Sequence, residues 1–179
     1  MNSFNGITDF ICKSPKAELH LHIEGSLEPE LMFKLSKRNK VEIPFKNVDE
    51  IRSAYNFTNL DSFLKIYYEG SNVLISEEDF FDLTWEYILR CKQDNIVHTE
   101  IFFDPQSHLP RGVKFETIIN GIDKALKKAE RDFGITSKVT GLLDLMQDMF
   151  FPSEATFLVL GLGQLSCVRV CYFFYNANV

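Results

Sequence analysis

The first regular pattern along the chain is the alternation Ala17-Glu18-Leu19-His20-Leu21-His22-Ile23-Glu24. A period of two predicts a strand, with Ala17, Leu19, Leu21 and Ile23 on one face and His20 and His22 sharing the other. Gly25 is expected to end it, and Ser26 followed by Pro29 to lead into a helix, because the missing N–H of proline costs nothing in a first turn. Leu31, Met32 and Leu35 give that helix an apolar stripe. Two more helices are predicted around residues 48–55 and 60–74, the second carrying Leu60, Phe63, Leu64 and Tyr67 at three- and four-residue spacing. Ser76-Glu77-Glu78-Asp79 resembles a capping box with Asp in place of the usual Glu. It opens a helix through Phe80, Tyr87, Ile88 and Cys91 that should stop near Asp94-Asn95.

Ile96–Phe103 is apolar and β-branched on both faces, the pattern of a parallel strand covered on both sides, and Asp104-Pro105 ends it. The clearest helical periodicity follows, with Phe115, Ile118, Ile119, Ile122, Leu126, Ala129 and Phe133 on one side and Gly134 as a C-terminal stop. Strand, helices, strand, helix is the rhythm of an α/β protein with parallel strands. After about residue 140 the text changes: of 19 Lys and Arg residues only Arg169 lies beyond it, and no His does. Residues 1–139 are therefore expected to form one structural portion, and residues 140–179 an apolar tail foreign to it. Residues 155–175 are nearly apolar, but Gln164, Ser166 and Arg169 would sit inside a span at a cost of several kcal/mol, roughly, so a membrane segment is not expected.

The 179 residues are 45% hydrophobic and 25% charged, enough apolar material for one core. A net charge of -6 gives no reason to expect a nucleic-acid partner, because phosphate binding needs a concentrated excess of Lys and Arg. Cys12, Cys91, Cys167 and Cys171 are scattered and follow no leader, which points to a cytoplasmic or nuclear protein rather than a secreted disulfide framework. Cys167 and Cys171, four apart, lack the two-residue spacer of a zinc knuckle.

The candidate chemistry sits on the first strand. Histidines at i and i+2 project from one face roughly 6–7 Å apart, so their imidazoles can converge on one metal ion. Without further context the same pair reads first as polar residues on a solvated face. His22-Ile23-Glu24 also opens an H-x-E signature, but the Pro-Cys-x-x-Cys that completes it is absent. His98, inside the second strand, reads as a packed or hydrogen-bonded polar residue. His108 reads as a loop anchor or a group close to the site.

The run Pro15-Lys16-Ala17-Glu18-Leu19-His20-Leu21-His22-Ile23-Glu24-Gly25-Ser26-Leu27-Glu28-Pro29 resembles the opening motif of the adenosine, adenine and AMP deaminase family of the amidohydrolase superfamily. Tyr67-Tyr68, Asn72-Val73-Leu74, Asp79-Phe80-Phe81-Asp82-Leu83 and Glu100-Ile101-Phe102-Phe103-Asp104-Pro105-Gln106-Ser107-His108 are similar to its adenine deaminase branch. The resemblance runs from about Lys16 to Ser137. It implies a partial (β/α)8 TIM barrel, the first few βα units, with the site at the C-terminal ends of the strands. It also implies one zinc ion, with His20 and His22 as two of its ligands, and a small purine substrate, adenine, deaminated hydrolytically to hypoxanthine. By similarity, Glu24 and Gly25 border the substrate pocket.

In the family, a third histidine ligand, a proton-shuttling glutamate, a water-positioning histidine and an aspartate ligand come from later strands. No histidine follows His108 in this chain. Little or no turnover is therefore expected of it alone. Three other readings stay open: a deaminase acting on adenosine, another metal-dependent hydrolase, and a non-catalytic fragment that associates with another chain covering its open sheet.

Overall fold

The computed structural model describes residues 3–141. The tail expected at residues 140–179, with Cys167, Cys171 and the 155–175 stretch, lies outside the described residues except for its first two positions. Three strands, β1 (Lys16–His22), β2 (Ile96–Phe103) and β3 (Thr136–Gly141), form a parallel sheet in the order β1-β2-β3. Helix α1 (Ser3–Lys13) precedes it; α2 (Pro29–Asn39), α3 (Val48–Ala54), α4 (Leu60–Ser71) and α5 (Glu77–Gln93) connect β1 to β2, and α6 (Phe115–Phe133) connects β2 to β3. This is the expected partial α/β arrangement, with each parallel strand reached through a helical crossover.

The helices follow the local signals. Pro29 opens α2 in its first turn. Ser76 and Asp79 exchange both hydrogen bonds of a capping box at the start of α5. Gly134, at φ 70°, takes the left-handed conformation that stops α6 and turns the chain into β3. Gly121 serves a different need, close approach. A Cβ there would meet the Glu77 carbonyl oxygen at 2.4 Å and Phe80 Cβ at 2.7 Å, so only glycine lets α6 lie this near α5. The patterning predicts nothing over α1, whose Ile7, Phe10 and Ile11 stay exposed rather than joining the core.

Two expectations about the sheet are corrected. The first strand is not a simple alternation. Leu19 pairs with Glu100 and Leu21 with Ile101, so two steps along β1 match one along β2 and His20 is the extra residue of a bulge, at φ 71°. A bulge reverses facing parity. Ahead of it, Glu18 points toward the helices and receives the Tyr87 hydroxyl at 2.6 Å, while Ala17 and Leu19 lie exposed on the other face. Beyond it, Leu21 and Ile23 pack on the core, so the four apolar residues do not share one face. The strand also ends at His22, ahead of Gly25, because Ile23–Ser26 form a single 3-10 turn.

The second correction concerns β2. Thr99, Ile101 and Phe103 are buried against the helices, but His98, Glu100 and Phe102 on the opposite face are only half-buried. Among the described residues the strand is covered on one side. Leu19, 55% exposed, and Val97 are apolar residues left at the surface of the sheet. No helix among the described residues is long and apolar enough to cross a membrane.

Candidate active site

β1 and β2 end together, with His22 paired to Phe102 in register. Because the bulge falls at His20, both histidines come to lie over the same ring: His20 stacks on Phe102 at 4.2 Å between centroids and His22 at 5.9 Å. The two imidazole centroids are 5.7 Å apart and inclined by 43°. The 3-10 turn after β1 then carries Glu24 inward to 3% exposure, while Gly25 faces solvent beside the Tyr67 ring.

Glu24 is the hub of a buried hydrogen-bond chain. Its Oε1 accepts from the Asp104 backbone N–H at 2.9 Å and from His108 Nε2 at 3.1 Å. Its Oε2 lies 3.3 Å from the Tyr67 hydroxyl, which also donates to Asp104 Oδ2. The same Asp104 oxygen is 3.2 Å from His22 Nδ1. Behind His108, which is fully buried, Arg111 Nη2 donates to His108 Nδ1 at 2.7 Å. Arg111 also reaches the carbonyls of Ser71 at 2.9 Å, Asn72 at 3.0 Å and Leu74 at 3.3 Å. A guanidinium can only donate, so His108 Nδ1 accepts and its Nε2–H donates to Glu24. The segment after β2 is thereby tied to both the turn after β1 and the end of α4.

The charges of the site follow from this geometry. Burial lowers the His22 pKa, but the hydrogen bond and charge of Asp104, with the charge of Glu24, outweigh it and hold the value above the ordinary one. His20 moves down, through partial burial and the neighbouring His22, with Glu100 opposing. Asp104 is held below the usual carboxylate range: burial raises it, but the hydrogen bond and charge of His22 and the bond from Tyr67 win. Burial and the two carboxylates push Tyr67 far up, so it acts as a permanent donor.

His20 and His22 suit a zinc ion. Ligand bonds of ~2.0–2.1 Å place two coordinating imidazole centroids roughly 5–6 Å apart, and the observed 5.7 Å falls within that span. Among the described residues no group of three or more His, Cys, Asp or Glu side chains converges as a metal site. His98 stands apart on the strand, bonded to Thr136 Oγ1 at 2.7 Å, as a hydrogen-bonded polar residue. His108 combines the two roles left open for it, anchoring its loop and contacting the site.

Three members of the chain, Asp104, Tyr67 and Arg111, do not emerge from the sequence as site residues. Tyr67 falls on an apolar helical stripe and Asp104 reads as a strand terminator; both lie in segments that resemble the family, but neither is given a role there. A carboxylate directly after a parallel strand is nonetheless the one local signal that marks it.

Replacing Glu24 by alanine is expected to lower the unfolding free energy by about 2–4 kcal/mol, because the Asp104 N–H and His108 Nε2–H lose a buried acceptor. Glu24→Gln keeps an oxygen for both donors and should lose less than half as much. Urea midpoints measure the difference, and an alanine variant as stable as wild type would remove the chain from the account of stability.

The family described as adenosine deaminase matches residues 15–156. The chain belongs to the adenosine deaminase family. The match extends beyond residue 139. Among relatives in this family, an adenine deaminase of Psychrobacter cryohalolentis is 66% identical over 129 residues, covering 72% of this chain and 39% of that protein. One from Wolinella succinogenes is 63% identical over 131 residues, 73% of this chain and 40% of that protein. The chain thus spans about two fifths of the length of these relatives. Among solved structures, adenine deaminase from Arthrobacter aurescens superposes with a TM-score of 0.68 at 47% identity, covering 71% of this chain and 39% of that one. An amidohydrolase from Burkholderia ambifaria with bound Zn, 23% identical, has a TM-score of 0.64 over 74% of this chain and 36% of its own, and supports the fold.

Proposed function

We propose that this chain supplies the first part of a zinc-dependent site for the hydrolytic deamination of adenine, a purine-salvage reaction of the cytoplasm. The observation that carries the reading is the pair His20 and His22, ring beside ring at the end of β1, in a chain 66% identical to a protein named adenine deaminase. Water adds at C6 of adenine and ammonia leaves, giving hypoxanthine. His20 and His22 would hold one zinc ion, which when bound supplies Lewis-acid activation of water near neutral pH.

The remaining groups act through position. Gly25 and the Tyr67 ring beside it border the purine. Glu24 borders it from beneath: its oxygens are committed to Asp104, His108 and Tyr67, so it shapes the floor of the pocket rather than offering a free carboxylate. A second reading, association with another chain, is favoured by the exposure of Ala17, Leu19 and Val97 on the sheet.

A chimera tests the first reading: residues 15–141 of this chain replacing the matching segment of the Psychrobacter adenine deaminase. It is expected to release ammonia from adenine, and its His22→Ala variant to lose at least about two orders of magnitude of turnover, as expected where a metal ligand goes. A folded, zinc-loaded chimera without turnover on adenine would overturn the reading.

A further inference from the structure

We propose that Asp104 is a positioning residue that fixes the tautomer and orientation of His22, a role resting on the assignment of His22 as a zinc ligand. The imidazole has two nitrogens, and only a ring whose proton sits on one offers a lone pair at the other. His22 Nδ1 lies 3.2 Å from Asp104 Oδ2, an oxygen that also receives the Tyr67 hydroxyl. A carboxylate is an acceptor, so the proton sits on Nδ1 and Nε2 carries the lone pair. A ligating histidine typically has such a partner, which sets the ring angle and raises its basicity.

Asp104 is itself held. Its backbone N–H donates to Glu24 Oε1 at 2.9 Å, and Glu24 receives the Nε2–H of His108, whose tautomer is set by Arg111. Arg111 in turn grips the carbonyls after α4. Hydrogen bonds thus run from the α4 end to the Asp104 backbone, whose carboxylate meets the His22 ring, and Arg111 sets the direction of the His108 link. Both rings stack on Phe102, His20 closer at 4.2 Å between centroids and His22 at 5.9 Å, and His22 has the Asp104 carboxylate in addition.

Two measurements on the whole chain test this. Nitrogen-15 NMR of the metal-free protein, above the imidazole titration range, is expected to find the His22 proton on Nδ1 in wild type and redistributed toward Nε2 in Asp104→Ala. Zinc competition against a chromophoric chelator is expected to show affinity falling about 10–100-fold in Asp104→Ala, with Asp104→Asn intermediate because its Oδ1 still accepts. If the alanine variant does not fold, the asparagine variant carries the test: Nδ1–H kept, zinc weakened. An Nε2–H wild-type ring, or a folded alanine variant with unchanged tautomer and zinc affinity, overturns the proposal. Complete loss of zinc in both variants also does so, since Asp104 would then be a ligand. A wild-type chain that takes up no zinc removes the reading of His22 as a ligand, and the metal-free tautomer then decides the orienting role.

Discussion

Asp79→Ala is expected to lower the free energy of unfolding by about 3 kcal/mol, near the lower end for breaking a buried ion pair because Arg38 keeps some contact with water. Asp79 is completely buried near the start of α5, where its carboxylate accepts from the backbone N–H of Ser76 at 2.7 Å and of Ile75 at 3.0 Å, from Ser76 Oγ at 2.9 Å and from Asn39 Nδ2 at 2.8 Å. It also pairs with Arg38 of α2, which reaches on to Asp82 at 2.9 Å and Glu78 at 3.1 Å. Removing the carboxylate takes away the Asp79 half of the capping box, leaving the Ser76 half, and cuts the strap that holds α2 against α5. Its loss is larger than that of an ordinary cap, about 0.5–2 kcal/mol.

The same group sets an acid limit on stability. Burial raises the Asp79 pKa, but the Ser76 and Ile75 N–H groups and the Arg38 guanidinium overcome it and hold the value below that of the unfolded chain. A depressed carboxylate contributes stability above its unfolded value, near about 4, and loses it as pH falls through the folded value. Urea midpoints followed downward from neutral pH should fall more steeply in wild type than in Asp79→Ala. Equal slopes would show that the carboxylate gains nothing from its partners.

What the sequence made legible was local. The capping box at Ser76–Asp79 and the stop at Gly134 depend on residues three or four apart, and α5 and α6 begin and end where those signals stand. The His20 and His22 pair was equally visible, because it needs only a strand. The bulge beneath it was not. Parity along β1 is decided by register against β2, some eighty residues on, and alternation in one strand contains no trace of the partner's spacing. The Arg38–Asp79 strap and the chain from Arg111 to His22 were hidden for the same reason: their members are separated by 41 residues and by as many as 84. Glu24 was legible as a member of the motif, but its burial was not, since the 3-10 turn that carries it inward replaces the last steps of the expected strand.

The second large effect concerns the metal. In the proposed function the two imidazoles at the end of β1 would together hold the zinc ion, and among the described residues no group of three or more His, Cys, Asp or Glu side chains converges that would replace them. Each of His20→Ala and His22→Ala should therefore weaken zinc by more than the roughly 10–100-fold cost of losing an outer hydrogen-bond partner. The double variant should take up none. Neither ring belongs to the apolar core, so the fold should survive both substitutions. The decisive measurement is a zinc titration of the purified chain against a competing chelator, run beside the double variant with circular dichroism as the check on folding. The account predicts one zinc ion per wild-type chain and none per folded His20→Ala/His22→Ala chain; zinc bound equally by both, or by neither, would contradict it.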